Sequence, residues 1–222
     1  LSNDVFTMDK ILLGDVFIRG GSSSGTHVLE EGRPIGQFYG LVCNGIDENG
    51  RYILVDKDGD GEISDPADYD YIGSAQPKLT YGITNSFRYK NFDLSFFLRG
   101  TIGNDILNAT RMAYAQSGFL PGTNALDDPL TYTLSETPRF SNYYLEKGSF
   151  MRLDNLTLGY KIKALNGIRV YFTAQNLFVI TKYKGLDPEV PMDSGDGLTP
   201  GVEPREFYPK ARTFSVGLNL NF

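Results

Sequence analysis

The 222-residue sequence contains no tryptophan, one cysteine and one histidine. A lone Cys43 cannot close an intrachain disulfide or furnish a cysteine-based zinc site, and a lone His27 removes most histidine-dependent catalysis and metal binding. Enzymatic readings therefore start at a disadvantage. Basic residues are in the minority: 21 Lys and Arg against 27 Asp and Glu leave a net charge of -6. That is the wrong sign for a chain that must neutralise many phosphates, so nucleic acid is not an expected partner. Long apolar runs are missing too. Ile11-Leu12-Leu13 and Phe96-Phe97-Leu98 are among the longest, far short of the roughly 18 to 20 residues of a membrane helix, and a helical membrane protein is excluded. The chain opens at Leu1 with neither an initiator methionine nor a signal peptide, and reads as a fragment or a processed chain.

What is present points to strands. The composition is 41% hydrophobic and 22% charged, inside the range of chains that bury a core. Tyr 14, Phe 15 and Gly 25 favour twisted, glycine-interrupted strands over helices. The negative mean hydropathy of -0.26 leaves a membrane β-barrel open, because barrel strands show only alternate residues to lipid.

Five segments alternate with period two. At the C-terminus Phe214, Val216, Leu218, Leu220 and Phe222 share one face, against Thr213, Ser215, Gly217, Asn219 and Asn221. Between Leu79 and Lys90 the apolar face is Leu79, Tyr81, Ile83, Phe87 and Tyr89, broken only by Asn85. Phe92, Leu94, Phe96, Leu98 and Ile102 oppose Asp93, Ser95, Arg99 and Thr101, with Phe97 as an intruder. Val170, Phe172, Ala174, Phe178 and Ile180 oppose Arg169, Thr173 and Gln175. In the Phe150 to Ile162 segment the apolar parity switches from Met151 and Leu153 to Leu156, Leu158, Tyr160 and Ile162, which predicts a β-bulge near Asp154-Asn155.

Alternation alone suits a soluble sandwich as well as a membrane wall. The polar faces carry Thr, Ser, Gly and Asn rather than the Lys and Glu of a water-exposed sheet, and the segments outrun ordinary strands of about five or six residues. Connection lengths add a second test. Lys90-Asn91 and Ala164 to Gly167 are tight hairpins, whereas Gly103 to Gly148 and Thr181 to Lys210 are long excursions, the alternation of periplasmic turns with extracellular loops. The expected fold is all-β: the C-terminal strands of an antiparallel transmembrane β-barrel with long extracellular loops. Residues 1-78 are expected to hold barrel strands and a loop region. Residues 79-222 are expected to hold strands at about 79-90, 92-103, 149-163, 168-181 and 211-222, with long loops 104-148 and 182-210.

Outside the strands, Gly20 to Gly25 reads as a flexible connector, His27 beside it as a surface residue, and Asp105 to Ser117 as a short helix capped near Asn104. Tyr143, Tyr144, Tyr183 and Phe207 lie in the long loops, where aromatics more often pack their own loop than stack on sugar rings. No substrate-binding or catalytic residue is singled out. One loop, within 56-68, carries chemistry. Asp56, Asp58 and Asp60 occupy positions 1, 3 and 5 of a calcium-loop pattern, Gly61 sits at position 6 and Ile63 at position 8. Position 12 is Ala67, so Asp65 or Asp68 has to substitute for the missing acid; the candidate Ca²⁺ ligands are Asp56, Asp58, Asp60, Glu62 and Asp65.

Tyr89-Lys90-Asn91-Phe92-Asp93-Leu94-Ser95 with Gly100, Gly103, Asn104 and Asn108 resembles the C-terminal region of the SusC/RagA family of TonB-linked outer-membrane proteins. So do Gly148 to Tyr160, Ala174 to Phe178 followed by Thr181 to Glu189, and Tyr208 to Phe214. Gly32 to Gly40 with Asp56 to Gly61 resembles the segment ahead of these strands. The resemblance implies a 22-stranded barrel in the cell outer membrane, plugged by an N-terminal domain that this chain lacks. It also implies a SusD-like surface lipoprotein as partner, glycans or peptides as cargo, and energy from TonB through the absent N-terminal region. Terminal Phe222 resembles the barrel-assembly signal. The alternatives are a soluble calcium-containing carbohydrate-binding β-sandwich and, with no carboxylate pair singled out by spacing, a glycosidase.

Overall fold

Backbone pairing rather than helix formation organises this chain: the computed structural model describes residues 10-18, 21-118, 120-122, 124-162, 168-190, 197-204 and 208-220, the side chains of 15-18 and 21-24 excepted. Two compact units result.

The first unit comprises Leu1–Gln76, Asn104–Lys147 and Glu189–Phe207. Its strands are β1 (Ile11–Ile18), β2 (Gly21–Leu29), β3 (Gln37–Leu41), β4 (Cys43–Ile46), β5 (Tyr52–Leu54) and β6 (Tyr69–Ser74). They form an antiparallel sheet of order β1-β2-β3-β6 and a separate β4-β5 pair. Gly21 to Gly25 is thus strand, not connector: a ladder to β1 is made of backbone groups, and Gly/Ser side chains do not prevent it. Phe38, Leu107, Met112, Phe140 and Tyr144 build one core cluster, and Val28, Tyr39, Leu41 and Tyr69 a second. His27 lies in this unit fully buried rather than at the surface. Its Nδ1 is 2.9 Å from the Thr26 hydroxyl, its Nε2 is 2.9 Å from the Pro200 carbonyl, and its ring lies 4.5 Å from that of Phe38.

The second unit comprises Pro77–Gly103, Gly148–Pro188 and Tyr208–Phe222. It holds β7 (Leu79–Tyr89) and β8 (Phe92–Ile102). Between them Lys90, at φ +54°, makes the tight turn with Asn91. After β8 the chain re-enters the first unit, where β9 (Asp105–Leu107) pairs with β10 (Leu145–Lys147). That pairing takes the front of the expected helix, which shrinks to α1 (Ala109–Tyr114). Asn108, not Asn104, caps it, its Oδ1 accepting from the Arg111 N–H at 2.8 Å. A second short helix, α2 (Pro129–Thr133), follows in the same excursion.

β11 (Phe150–Ile162), β12 (Ile168–Thr181) and β13 (Thr213–Asn219) complete the second unit's sheet, antiparallel throughout, in the order β13-β12-β11-β8-β7. The register slips between Leu153 and Asn155, so Asp154 is the extra residue of a β-bulge against β8. The hairpin at 164-167, Phe207 and Phe222 lie outside the described residues.

Candidate functional site

The sheet of the second unit presents two chemically different faces, and the cross-strand register lines up each of them. Tyr89, Phe92 and Tyr160 stand in one register row at the hairpin end, the latter two rings 4.6 Å apart. Further along, Phe87, Leu94, Leu158, Phe172 and Val216 form the next outward row. Among the described residues nothing covers this face: Val216 is 76% exposed, Leu218 62%, Ile180 58% and Phe87 54%. A sandwich needs a second sheet over such a face, so these exposures remove that architecture. A run of large apolar side chains this wide is a surface for another phase or partner rather than for water.

The opposite face carries Thr80, Thr84, Ser86, Ser95, Thr157, Thr173 and Ser215, crossed by ion pairs. Arg99 meets Asp154 at 3.0 Å, Arg152 meets Asp187 at 2.5 Å, and Arg169 meets Asp93 at 2.5 Å. The Arg169 guanidinium grips Asp93 with two nitrogens, Nε to Oδ1 at 2.9 Å and Nη2 to Oδ2. Asp93 is on β8 and Arg169 on β12, so the fork spans the intervening β11 over Gly159. A Cβ at Gly159 would strike both partners. Phe97, the apolar intruder on this face, lays its ring beside Gly82 of β7, whose missing side chain leaves the room.

The acidic loop belongs to the first unit. The structure brings Asp56, Asp58 and Asp68 together, with one carboxylate oxygen from each lying within 4.8 Å of the others. Asp56 accepts from the N–H groups of Gly59 at 2.6 Å and Gly61 at 2.9 Å, which winds the loop around it. Asp68 is buried and accepts from Lys57 N–H at 2.6 Å and Ser64 N–H at 2.8 Å. Asp60 and Glu62 stay exposed outside the trio, and Asp65 is turned to Arg139 at 2.7 Å. Of the two acids able to replace position 12, Asp68 is thus the one beside Asp56 and Asp58.

Electrostatics follows the geometry. The N–H groups of Ser64 and Lys57 hold the Asp68 carboxyl below its usual range. The Asp60 N–H also draws the Asp58 carboxyl down, but desolvation and the neighbouring carboxylates of Asp60, Asp68 and Asp56 leave it raised. Such crowding is the field into which a hard cation fits, and Asp/Glu oxygens on a glycine-turned backbone are the donor set Ca²⁺ takes.

Elsewhere, the loop aromatics Tyr143, Tyr144 and Tyr183 are spent on packing. Tyr144 is fully buried and its hydroxyl lies 2.5 Å from that of Tyr52; Tyr183 is also buried. Burial pushes the Tyr52 phenol up to about 12. Cys43 is buried, its thiol donating to the Gly45 carbonyl at 3.1 Å, and burial raises its pKa.

Long antiparallel strands, one face greasy and bare, the other polar and ion-paired, define a portion of a β-barrel wall that this chain leaves open. Comparison with known proteins agrees. No family model matches the chain. TonB-dependent receptor SusC of Bacteroides thetaiotaomicron is 36% identical over 94% of the chain and 21% of that receptor. TonB-dependent receptor P3 of Formosa agariphila is 34% identical over 89% of the chain and 23% of that receptor. Among solved structures, the RagAB peptide transporter superposes with a TM-score of 0.71 at 25% identity, over 96% of the chain and 25% of its counterpart. The chain belongs to the SusC/RagA family of TonB-dependent receptors. It spans between a fifth and a quarter of the length of the relatives it matches.

Proposed function

We propose that the chain is the C-terminal strand portion of an outer-membrane transporter that imports glycans or oligopeptides. In this reading a SusD-like surface lipoprotein captures cargo, TonB supplies energy through a region outside these residues, and Phe222 marks the chain for barrel assembly. The observation that carries the reading is the bare apolar face of the five-stranded sheet beside its polar reverse. Hydrocarbon accepts the first and a water-filled lumen the second. β7 and β13 end the sheet without partners among the described residues, and lipid cannot satisfy such edges, so further strands are required to close the wall. No covalent step is needed. The family membership supports import, and the solved peptide transporter supports oligopeptides as the cargo class to test first.

The test is cysteine labelling of the full-length protein in outer-membrane vesicles. Val216→Cys is expected to react with a lipid-soluble maleimide and Ser215→Cys with a water-soluble one; the reverse pattern would sink the reading. Uptake of labelled oligopeptides against labelled glycans by cells carrying or lacking the gene then assigns the cargo.

A second proposal concerns the acidic loop, which is inferred to bind Ca²⁺ through Asp56, Asp58 and Asp68. The meeting of the three carboxylates supports it.

A further inference from the structure

In the first unit, β5 pairs with β4 alone, so its other edge has no strand beside it among the described residues. Along that edge runs a cleft of about 860 Å³. β5 forms one wall, and the stretch from Ser135 to Arg139 forms the other. The walls are stitched together at one end. Ser135 donates its N–H to the Gly50 carbonyl at 3.0 Å, and the Tyr52 N–H donates to Glu136 Oε2 at 3.2 Å. Beyond that point they part: Pro138 has no N–H to offer, and the Arg139 N–H is directed at the Tyr52 hydroxyl.

Strand parity fixes what the open stretch presents. The Tyr52 N–H points away from β4, and the Val55 N–H points back, to the Val42 carbonyl at 3.0 Å. Leu54, in phase with Tyr52, therefore turns its N–H and C=O to the cleft. Bare strand edges are commonly blunted by lysine or proline. Tyr52-Ile53-Leu54 has neither, and Ile53 is 47% exposed there. The cleft also has negative charge to spare. Arg139 is taken up by Asp65 at 2.7 Å, whereas Glu136 has no cation at ion-pair distance among the described residues. An open strand edge beside an exposed isoleucine and an uncompensated carboxylate complements an extended peptide that carries a positive group.

We propose that this cleft binds an extended cationic segment of cargo oligopeptide as an added strand on β5, with a lysine, arginine or amino-terminal charge at Glu136. The proposal rests on oligopeptide import as argued under Proposed function. A glycan lacks a run of N–H and C=O groups at strand spacing, so the edge discriminates between the two cargo classes.

The test uses the full-length Ile53→Cys protein in outer-membrane vesicles and a short peptide of alternating valine and threonine around one lysine. A water-soluble maleimide is expected to label the cysteine, and the peptide to protect it. N-methylating alternate residues removes the N–H groups along one edge of the peptide and keeps those of the other. One of the two methylated registers should need about tenfold more peptide for the same protection, and the other should behave as the parent. Glu136→Gln can still accept the Tyr52 N–H. It should raise the concentration needed by about 2- to 5-fold for the lysine peptide and leave a glutamine counterpart of that peptide unchanged. Equal loss in both methylated registers, loss in neither, or an unchanged response of Glu136→Gln to the lysine peptide would each overturn the proposal. So would protection by a neutral oligosaccharide in place of the peptide. A cysteine unreactive before any peptide is added would show the cleft already filled by another segment or protein, and overturn it as well. Uptake of the same peptide reports import separately: uptake without protection rejects the cleft alone, and protection without uptake rejects the import and keeps the cleft.

Discussion

Arg99 and Arg152 stand directly opposite each other across β8 and β11, two like charges on one face of the sheet. Each is neutralised on a different side: Arg99 by Asp154, and Arg152 by Asp187 in a pair only 4% and 5% exposed. The bulge contributes to this arrangement, because Asp154 is the residue it inserts. Without a bulge, no carboxylate would be presented there while both flanking stretches kept their faces.

Removing the two carboxylates should therefore have unequal effects. Asp187→Ala takes the carboxylate from a buried guanidinium and is expected to cost about 3 to 5 kcal/mol. Asp154→Ala, at a half-open site, is expected to cost about 1 kcal/mol, much of it recovered by adding Arg99→Gln. Urea titration of the full-length protein refolded in bilayers measures both.

At Gly159 the backbone must stay bare for the Arg169–Asp93 fork to pass. Gly159→Val is expected to destabilise the sheet by about 1 to 3 kcal/mol through overpacking. In an Asp93→Ala, Arg169→Ala background the same substitution should cost markedly less. Equal costs in the two backgrounds would show that the fork is not what the valine disturbs.

Register refines where a charge hurts most. Leu218 lies in the same register row as Tyr89, Phe92 and Tyr160 at the hairpin end, being paired with Val170, whereas Val216 and Phe214 lie deeper. Val216→Arg is expected to cost about 2 to 4 kcal/mol, Leu218→Arg less, and Ser215→Arg on the polar face about 0 to 1 kcal/mol. Folding yields in lipid vesicles give the ranking.

For the acidic loop, calorimetric titration of Ca²⁺ into the full-length protein should give heat that Asp58→Ala and Asp68→Ala abolish. Asp65→Ala should keep it, since Asp65 is engaged by Arg139. Loss of binding in all three, or heat unchanged in all three, would reject the trio as the ligand set.

Alkali gives a signed prediction for the first unit. Tyr52 is raised above its ordinary value of 10 to about 12, so its contribution to stability is complete below pH 10 and is lost as pH rises toward 12. Tyr52→Phe should therefore leave the tyrosinate absorbance near 295 nm unchanged at pH 10.5, and lower it only at higher pH.

The period-two segments were legible because one face of each strand meets a different medium from the other, and the bulge was legible because it breaks that parity. What sequence could not supply were partners far along the chain. Asp105 to Leu107 has helical company in sequence, yet Leu145 to Lys147 takes it into a ladder. Gly21 to Gly25 carries no apolar signal because its stability comes from backbone bonds to β1. His27 looked like surface beside glycine and serine, but Phe38 and Pro200 enclose it. In the acidic loop, spacing suggested five ligands. Arg139 draws Asp65 away, while the N–H groups of Lys57 and Ser64 fix Asp68, and neither effect follows from a motif.

The two outermost strands of the sheet, β7 and β13, each leave a row of amide and carbonyl groups without a neighbour among the described residues. Synthesised alone in water, this piece would have both sticky margins and a greasy side open at once, and copies would stitch margin to margin into insoluble ribbons. Recombinant work on the isolated segment should accordingly yield inclusion bodies, and a soluble product should be sought only with the rest of the wall translated in the same polypeptide.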